Sequence, residues 1–425
     1  MTRATKQIPK EKGLDQSLTL LNEGYRYIPN RRRNQQSDII QTRLLGKKAI
    51  LISGEEAARL FYDENYFKRE GVAPRRIRKS LFGEHGVQGL DDEEHKHRKL
   101  MFLSLMTPER LEEIKKITMQ QWKKKIDEWK ERDRVVLFYE AEEVMCRAAC
   151  EWAGIDLSEE EVGQRAREFG QMIDAFGGVG ERNRRGKRAR DSSEKWIQKI
   201  VKQIRANKQK PAENTAAYII SFHRDHKGKR LDTHTAAVEI INVLRPIVAI
   251  GRYVVFGALA VHDHPETLPK LRAGDDTYTT MFVQEIRRYY PFTPLLGAIA
   301  RKDFHWKGYP FTKDTLVMLD VHGINHRADL WEDPDVFMPE RFKEWEGSPF
   351  AFVPQGGGDH YMGHRCAGEW ITVMLMQTSL EFLTNHITYD VPEQDLSYSM
   401  VRMPTIPKSR FVIRDVEERE KLAEV

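Results

Sequence analysis

Apolar residues recur at helical spacing over most of this chain, while alternation of the kind that makes strands is confined to short stretches. From about Pro108 to Ala206 the pattern is mostly helical, with PERLEEIKKITMQQWKKKIDEWKER as its clearest run. Asp232-Thr-His-Thr caps a long helix expected to reach about His262, and another apolar helix is expected from Cys366 to near His386. Residues 42–53 (TRLLGKKAILIS) read as a hairpin, two β-rich runs around a Gly-Lys-Lys turn, and strand-like pieces return at 303–321. The pattern predicts a mainly α fold with a minor β part. One domain is expected over residues 1–425, β-rich near 40–60 and 303–321, with a helical core at 91–300 and 366–386.

The most apolar stretch, Ala236 to Val261, is interrupted by Glu239, Asn242, Arg245 and Arg252. Crossing a bilayer takes roughly 20 mostly apolar residues, so this run predicts a buried core helix and no membrane span. The chain opens on the polar MTRATKQIPKEKG, which does not read as a secretion signal. It holds only three cysteines, Cys146, Cys150 and Cys366, which argues against a disulfide framework and fits a reducing cytoplasm. Cys146 and Cys150 share a helical face and read as two small buried hydrophobes.

Charge adds little. Lys and Arg number 69 against 64 Asp and Glu, a net +5 too small and scattered to argue for nucleic acid. The local run RNRRGKRAR (182–190) reads as a solvated face or loop.

Chemistry enters at FVPQGGGDHYMGHRCAGEWITVMLMQTSLEFL. A glycine-rich segment leads into Cys366, where a helix is expected to begin, and a helix N-terminus favours a thiolate. By itself such a cysteine reads as a buried thiol before it reads as a nucleophile. Two further motifs lie upstream of it. Glu285-Ile-Arg-Arg288 sets a carboxylate and a guanidinium one helical turn apart, and Pro339-Glu-Arg341-Phe follows. In the order Glu-x-x-Arg, PERF, Gly-x-Arg-Cys-x-Gly, the chain resembles the cytochrome P450 superfamily over about residues 40–413. The resemblance implies one P450 domain with haem b buried between two helices. Cys366 would be the axial thiolate, a ligand that favours O–O cleavage. Glu285, Arg288 and Arg341 would form a structural triad beneath the haem. His95 and Lys99, at i and i+4, match the position that binds haem propionates. Arg69 is a second propionate candidate, with a surface role equally open. His95 and His97 do not share a helical face, which argues against a metal site there.

Ordinary members of the superfamily carry an acid and an alcohol in the central helix. Ala273-Gly-Asp-Asp-Thr277 imitates that motif but lies only eight residues before Glu285, so it reads as a turn and helix cap. The long helix instead offers Arg245-Pro246. Proline cannot donate to the carbonyl of Asn242, so a kink is expected, and an arginine among Ile, Val and Leu there calls for an anion. From the residues alone a structural ion pair with an Asp or Glu is the ordinary reading, and the family context outweighs it. Arg-Pro here, with FVPQGGGDHY before the cysteine, resembles the bacterial fatty-acid peroxygenase branch. That resemblance implies a long-chain fatty acid held by Arg245, with its carboxylate assisting cleavage of hydrogen peroxide, and no need for a redox partner. The product would be an α- or β-hydroxy acid, with decarboxylation to a terminal alkene competing. Gln88 occupies the position where decarboxylating members tend to carry His, and so leans toward hydroxylation, while His85 is expected to face solvent. Phe82, Phe176, Val179 and Phe292 are expected to line the chain pocket. A monooxygenase fed by redox partners, and a non-catalytic haem-thiolate sensor or fatty-acid carrier, remain as alternatives.

Overall fold

A computed structural model describes residues 6–419. The first five residues of the polar opening, and residues 420–425, lie outside the described part. Helices Pro108–Lys123, Leu137–Ala153, Glu159–Asp174 and Glu181–Arg205 gather around a central pair, Thr233–Ala249 and Gly251–Asp263. The central pair is long and apolar enough to cross a membrane by composition, but it is almost wholly buried inside the protein. Gly251 permits a close approach to the neighbouring helix: a methyl group there would sit 3.3 Å from the Glu142 backbone nitrogen. Trp122 is fully buried in the core. Its ring stacks on Phe382 at 5.2 Å and its Nε1 donates to Ser379 Oγ at 3.0 Å.

The largest sheet has five strands, ordered Ile39–Leu44, Lys47–Ile52, Leu316–Asp320, Leu295–Ala300, Phe67–Lys68, and a second has three, ordered Val135–Val136, Val412–Glu418, Ile387–Asp390. Only the pairing of Lys47–Ile52 with Leu316–Asp320 is parallel. Phe304–Trp306 and Tyr309–Phe311 form a separate hairpin, as the 303–321 pattern predicts.

Several boundaries differ from the sequence reading for local physical reasons. The first hairpin turns at Leu45-Gly46, both in the left-handed region, so Lys47 and Lys48 belong to the second strand. The region near 40–60 is not β throughout, since Glu55–Phe61 is helical, and the helical region gives way to strand Leu295–Ala300 before residue 300. The Asp232-capped helix breaks at Ile250, four residues after Pro246, where the Ile250 N–H turns back to the Ile247 carbonyl at 3.0 Å. Of the two readings of the basic run 182–190, the solvated face holds and the loop does not: it lies in a helix with Arg184, Arg185 and Arg188 exposed, while Arg190 turns inward to bind Glu194 and the Leu81 carbonyl. Asp275 caps Asp276–Tyr289, as expected of the imitation motif.

One polar cluster fastens the helical core to the segment leading toward Cys366. Glu285 is fully buried, and Arg288 binds both its oxygens at 2.7 Å. Arg341 Nε adds a contact at 3.2 Å and the Met338 N–H another at 2.8 Å. Arg288 also donates to the carbonyls of Asn325, Pro334 and Val336. Removing one partner of a buried pair strands the other charge, so Arg288→Ala should cost about 3–5 kcal/mol. Urea denaturation followed by the helical signal measures this; a loss below about 1 kcal/mol, the scale of a surface pair, would contradict the account.

Candidate functional site

Cys366 sits at the end of a loop held in shape by its own backbone. The Cys366 N–H donates to the Gln355 carbonyl at 3.0 Å, and Asn325 Oδ1 accepts from the Val353 N–H at 3.1 Å. Gly356 and Gly358 both take positive φ, which the tight path of this loop requires. The following helix begins at Glu369, three residues after Cys366, so the thiol precedes the helix instead of opening it. Burial pushes the Cys366 thiol up, while the Gly368 N–H, Lys99 and Arg287 act against that rise. The helix end alone therefore does not make a thiolate here; a bound metal ion would, because coordination removes the proton outright. Gln355 Nε2 lies 3.8 Å from the sulfur and bonds Thr372 Oγ1 at 3.0 Å. Glu369 is tied to Arg287 and Arg365, each at 2.5 Å.

Two cationic side chains, Lys99 and Arg69, and one neutral histidine converge near this loop. Lys99 Nζ donates to the carbonyls of Gly363 and Arg365, the latter at 2.8 Å, and burial pushes it down to about 8. His95 stacks on His364 at 3.8 Å with a buried Nδ1 that has no partner, and burial pushes it down to about 3. Arg69 is half-buried over the Phe61 ring and donates to the Phe61 carbonyl at 3.0 Å; burial pushes it down to about 10. It is not a surface side chain. Further buried atoms without partners are Tyr253 Oη, His360 Nδ1 and Gln355 Oε1. This donor set, one thiol beside desolvated cations and orphaned polar atoms, fits haem. Cys366 could take the iron, and His95, Lys99 and Arg69 could take the propionates.

The central helix supplies the other wall. Arg245 is 7% exposed, and among the described residues its side chain makes one hydrogen bond, from Nη2 to Asn242 Oδ1 at 3.3 Å. Its Nε is buried and unpartnered, and no carboxylate among the described residues lies within ion-pair distance. Burial pushes the guanidinium down to about 9, with Arg190 acting in the same direction and Cys366 against it. The structural ion pair left open by the sequence is absent among the described residues. Pro246 is exposed although its neighbours are buried, so this side of the helix borders a cleft. Gln88 reaches the same helix, with Oε1 3.4 Å from Asn242 Nδ2.

The aromatic candidates divide. Phe82 and Phe176 are half-buried, at the ends of Arg78–Phe82 and just after Glu159–Asp174. Phe292 is half-buried and stacks on Tyr253 at 4.6 Å, two helical turns beyond Arg245. Val179 is 57% exposed beside Gly180, which removes it from a buried pocket. His85 is exposed, as expected. The sequence reading missed Arg98, Glu239 and Asn242, which join Gln88 and Arg245 in one hydrogen-bonded chain. Glu239 and Asn242 carry a signal in the three-residue spacing of 239, 242 and 245, which the apolar-run reading treats only as interruptions; Arg98 carries none.

Comparison with known proteins agrees with this geometry. The cytochrome P450 family profile matches residues 275–409, from the cap of the Glu285 helix through the Cys366 loop. Cytochrome P450EX alpha, solved with myristic acid, is 45% identical, with 97% of this chain and 100% of that one aligned at a TM-score of 0.95. Cytochrome P450SP alpha in complex with (R)-ibuprophen is 43% identical over 95% and 99% of the two chains, TM-score 0.93. An OleT variant in complex with arachidonic acid is 37% identical over 97% and 99%, TM-score 0.95. Among curated sequences, cytochrome P450 137 of Mycobacterium tuberculosis is 26% identical over 230 residues, 51% of this chain and 47% of that protein. The chain thus spans about half the length of the curated relatives it matches. Near-complete alignment at such identity, with the Cys366 loop and the Glu285 cluster in place, decides membership: the chain belongs to the cytochrome P450 superfamily, within the branch formed by P450EX alpha, P450SP alpha and OleT.

Proposed function

We propose that this protein is a haem-thiolate peroxygenase that uses hydrogen peroxide to oxidise long-chain fatty acids at the α or β carbon. The observation that carries this reading is Arg245, a buried guanidinium without a carboxylate partner. A desolvated cation is costly until an anion pairs with it, and a planar guanidinium matches a carboxylate with two parallel hydrogen bonds. The related P450EX alpha and OleT structures hold fatty acids, which supports the same ligand class here.

Haem, bound through Cys366, would supply the oxidising chemistry. The chain's own part is positional. Arg245 fixes the acid head, so the α and β carbons are the first to enter the cleft beside Pro246. Residues 245–249 are Arg-Pro-Ile-Val-Ala and offer no acid or alcohol. The carboxyl oxygen of the substrate can therefore take and return the peroxide proton, a general acid–base role that Arg245 orients. One peroxide and one fatty acid balance as a hydroxy acid and one water. The same pair balances as a terminal alkene, carbon dioxide and two waters. Phe82, Phe176 and Phe292 are the candidates to receive the alkyl chain. No redox partner enters this balance, because peroxide supplies both oxygen and oxidising equivalents.

Incubation of haem-loaded protein with myristic acid and hydrogen peroxide should yield hydroxymyristic acid as the main product. Turnover only with a ferredoxin, its reductase and NAD(P)H would make the protein a conventional monooxygenase, and no turnover under either condition would favour a carrier. Arg245→Ala should weaken fatty-acid binding by about 10²-fold or more, as loss of a buried charged partner does, and leave the thiolate–carbon monoxide spectrum intact. Loss of that spectrum as well would make Arg245 a structural residue. Gln88→His should raise the alkene fraction of the product; an unchanged ratio would remove Gln88 from control of the outcome.

A further inference from the structure

Glu239 is fully buried in the central helix, six residues before the arginine assigned above to the carboxylate. It is not free to pair with that arginine. Arg98 Nη1 donates to Glu239 Oε1 at 2.7 Å, and Asn242 Nδ2 donates to Oε2 at 2.9 Å. Arg98 lies on Asp92–Leu103, the helix that also carries His95 and Lys99, so the pair ties the two walls of the site together.

The direction of these bonds has a consequence. An ionised carboxylate only accepts hydrogen bonds, whereas a side-chain amide donates from nitrogen and accepts at oxygen. Ionised Glu239 therefore turns the Asn242 nitrogen toward itself and the Asn242 oxygen toward Arg245, whose Nη2 lies 3.3 Å away. The same nitrogen lies 3.4 Å from Gln88 Oε1. Gln88 is then left with its Nε2 as the free donor, and no described residue accepts from it. Gly86 packs beneath this junction: a methyl group there would meet Asn242 Nδ2 at 2.9 Å and Gln88 Oε1 at 3.0 Å. Burial favours the neutral form of Glu239, and the charge of Arg98 opposes this.

We propose that the Arg98–Glu239 ion pair is a positioning device for carboxylate recognition. It sets the polarity of the Asn242 amide, and through it the orientation of both Arg245 and Gln88, and it holds the Glu239 carboxylate on Arg98 and Asn242, away from Arg245. A buried ion pair returns little net stability once its desolvation is counted, so orientation is the more productive use of this one. The inference rests on the assignment of Arg245 to the fatty-acid carboxylate. Arg98, Glu239 and Asn242 are positioning residues, and only Arg245 and Gln88 are placed at the substrate.

The test is a double-variant cycle on haem-loaded protein, titrating myristic acid against its spectral shift, with the thiolate–carbon monoxide spectrum as the check of the fold. Arg98→Met should raise the Kd about tenfold, a usual coupling for residues in one network, and Arg98→Met/Glu239→Gln should return it to within about threefold of the parent. Arg98→Lys, which keeps the charge, should bind nearly as the parent does. Unchanged affinity in Arg98→Met would overturn the inference, and so would an equal loss in the single and double variants, since packing alone would then explain it. If Arg98→Met does not retain haem, Glu239→Gln carries the test through its similar shape: a severalfold rise in Kd supports the inference and parental affinity overturns it. Arg245→Ala in the same titration separates the two claims. If it binds as the parent does, the assignment of Arg245 itself fails; if only the Arg98 and Glu239 variants bind normally, the positioning device alone fails.

Discussion

The structure depends most on one uncompensated charge. A guanidinium buried in a helix without a carboxylate partner is tolerated only where the rest of the fold holds it and where an anion is expected to arrive. Arg245 is in that position, with one contact at 3.3 Å to Asn242 and a bare Nε. Several features around it serve to keep it so. Glu239, the acid nearest in sequence on the same helix, is taken up by Arg98. Arg190 adds a second buried cation that disfavours the charged form of Arg245, which sharpens the preference for an anionic ligand. Pro246 follows directly and opens one side of the helix onto the cleft.

The same fold pairs several of its other buried charges. Glu285 meets Arg288 and Arg341, Glu142 meets Arg252, and Glu369 meets Arg287 and Arg365. Against those pairs, Arg245 and Lys99 are buried cations with no carboxylate partner among the described residues, and both lie at the proposed site. Pairing elsewhere also fixes the parts of the site relative to one another: the Glu285 cluster holds the segment before Cys366, and Arg98 joins the helix of His95 and Lys99 to the central helix. Preorganisation of this kind puts the ordering cost into folding and leaves the substrate less to reorganise on binding.

Much of this was legible in the sequence, and the exceptions share a cause. The helical pattern at 108–206, the strands at 303–321 and the triad of Glu285, Arg288 and Arg341 follow from periodicity and motif. Arg245 was conspicuous because its charge conflicts with its apolar neighbours. The Leu45-Gly46 turn, the break at Ile250 and the helix start at Glu369 are local backbone choices that periodicity places only to within a few residues. Val179 read as pocket-forming from its apolar side chain, but the glycines around it let it turn outward. Arg98 was hidden because its partner lies 141 positions away. No spacing rule shows which of two buried arginines an acid will choose.

The central claim concerns where a fatty acid's head group rests, and a crystal structure of the haem-loaded protein with myristic acid measures that directly. The account predicts carboxylate oxygens about 2.7–2.9 Å from the Arg245 guanidinium, the range of a charge-assisted hydrogen bond, with the α and β carbons nearest the iron and Glu239 still on Arg98. A carboxylate bound elsewhere, with Arg245 turned to Glu239 or to another acid of the chain, would contradict it.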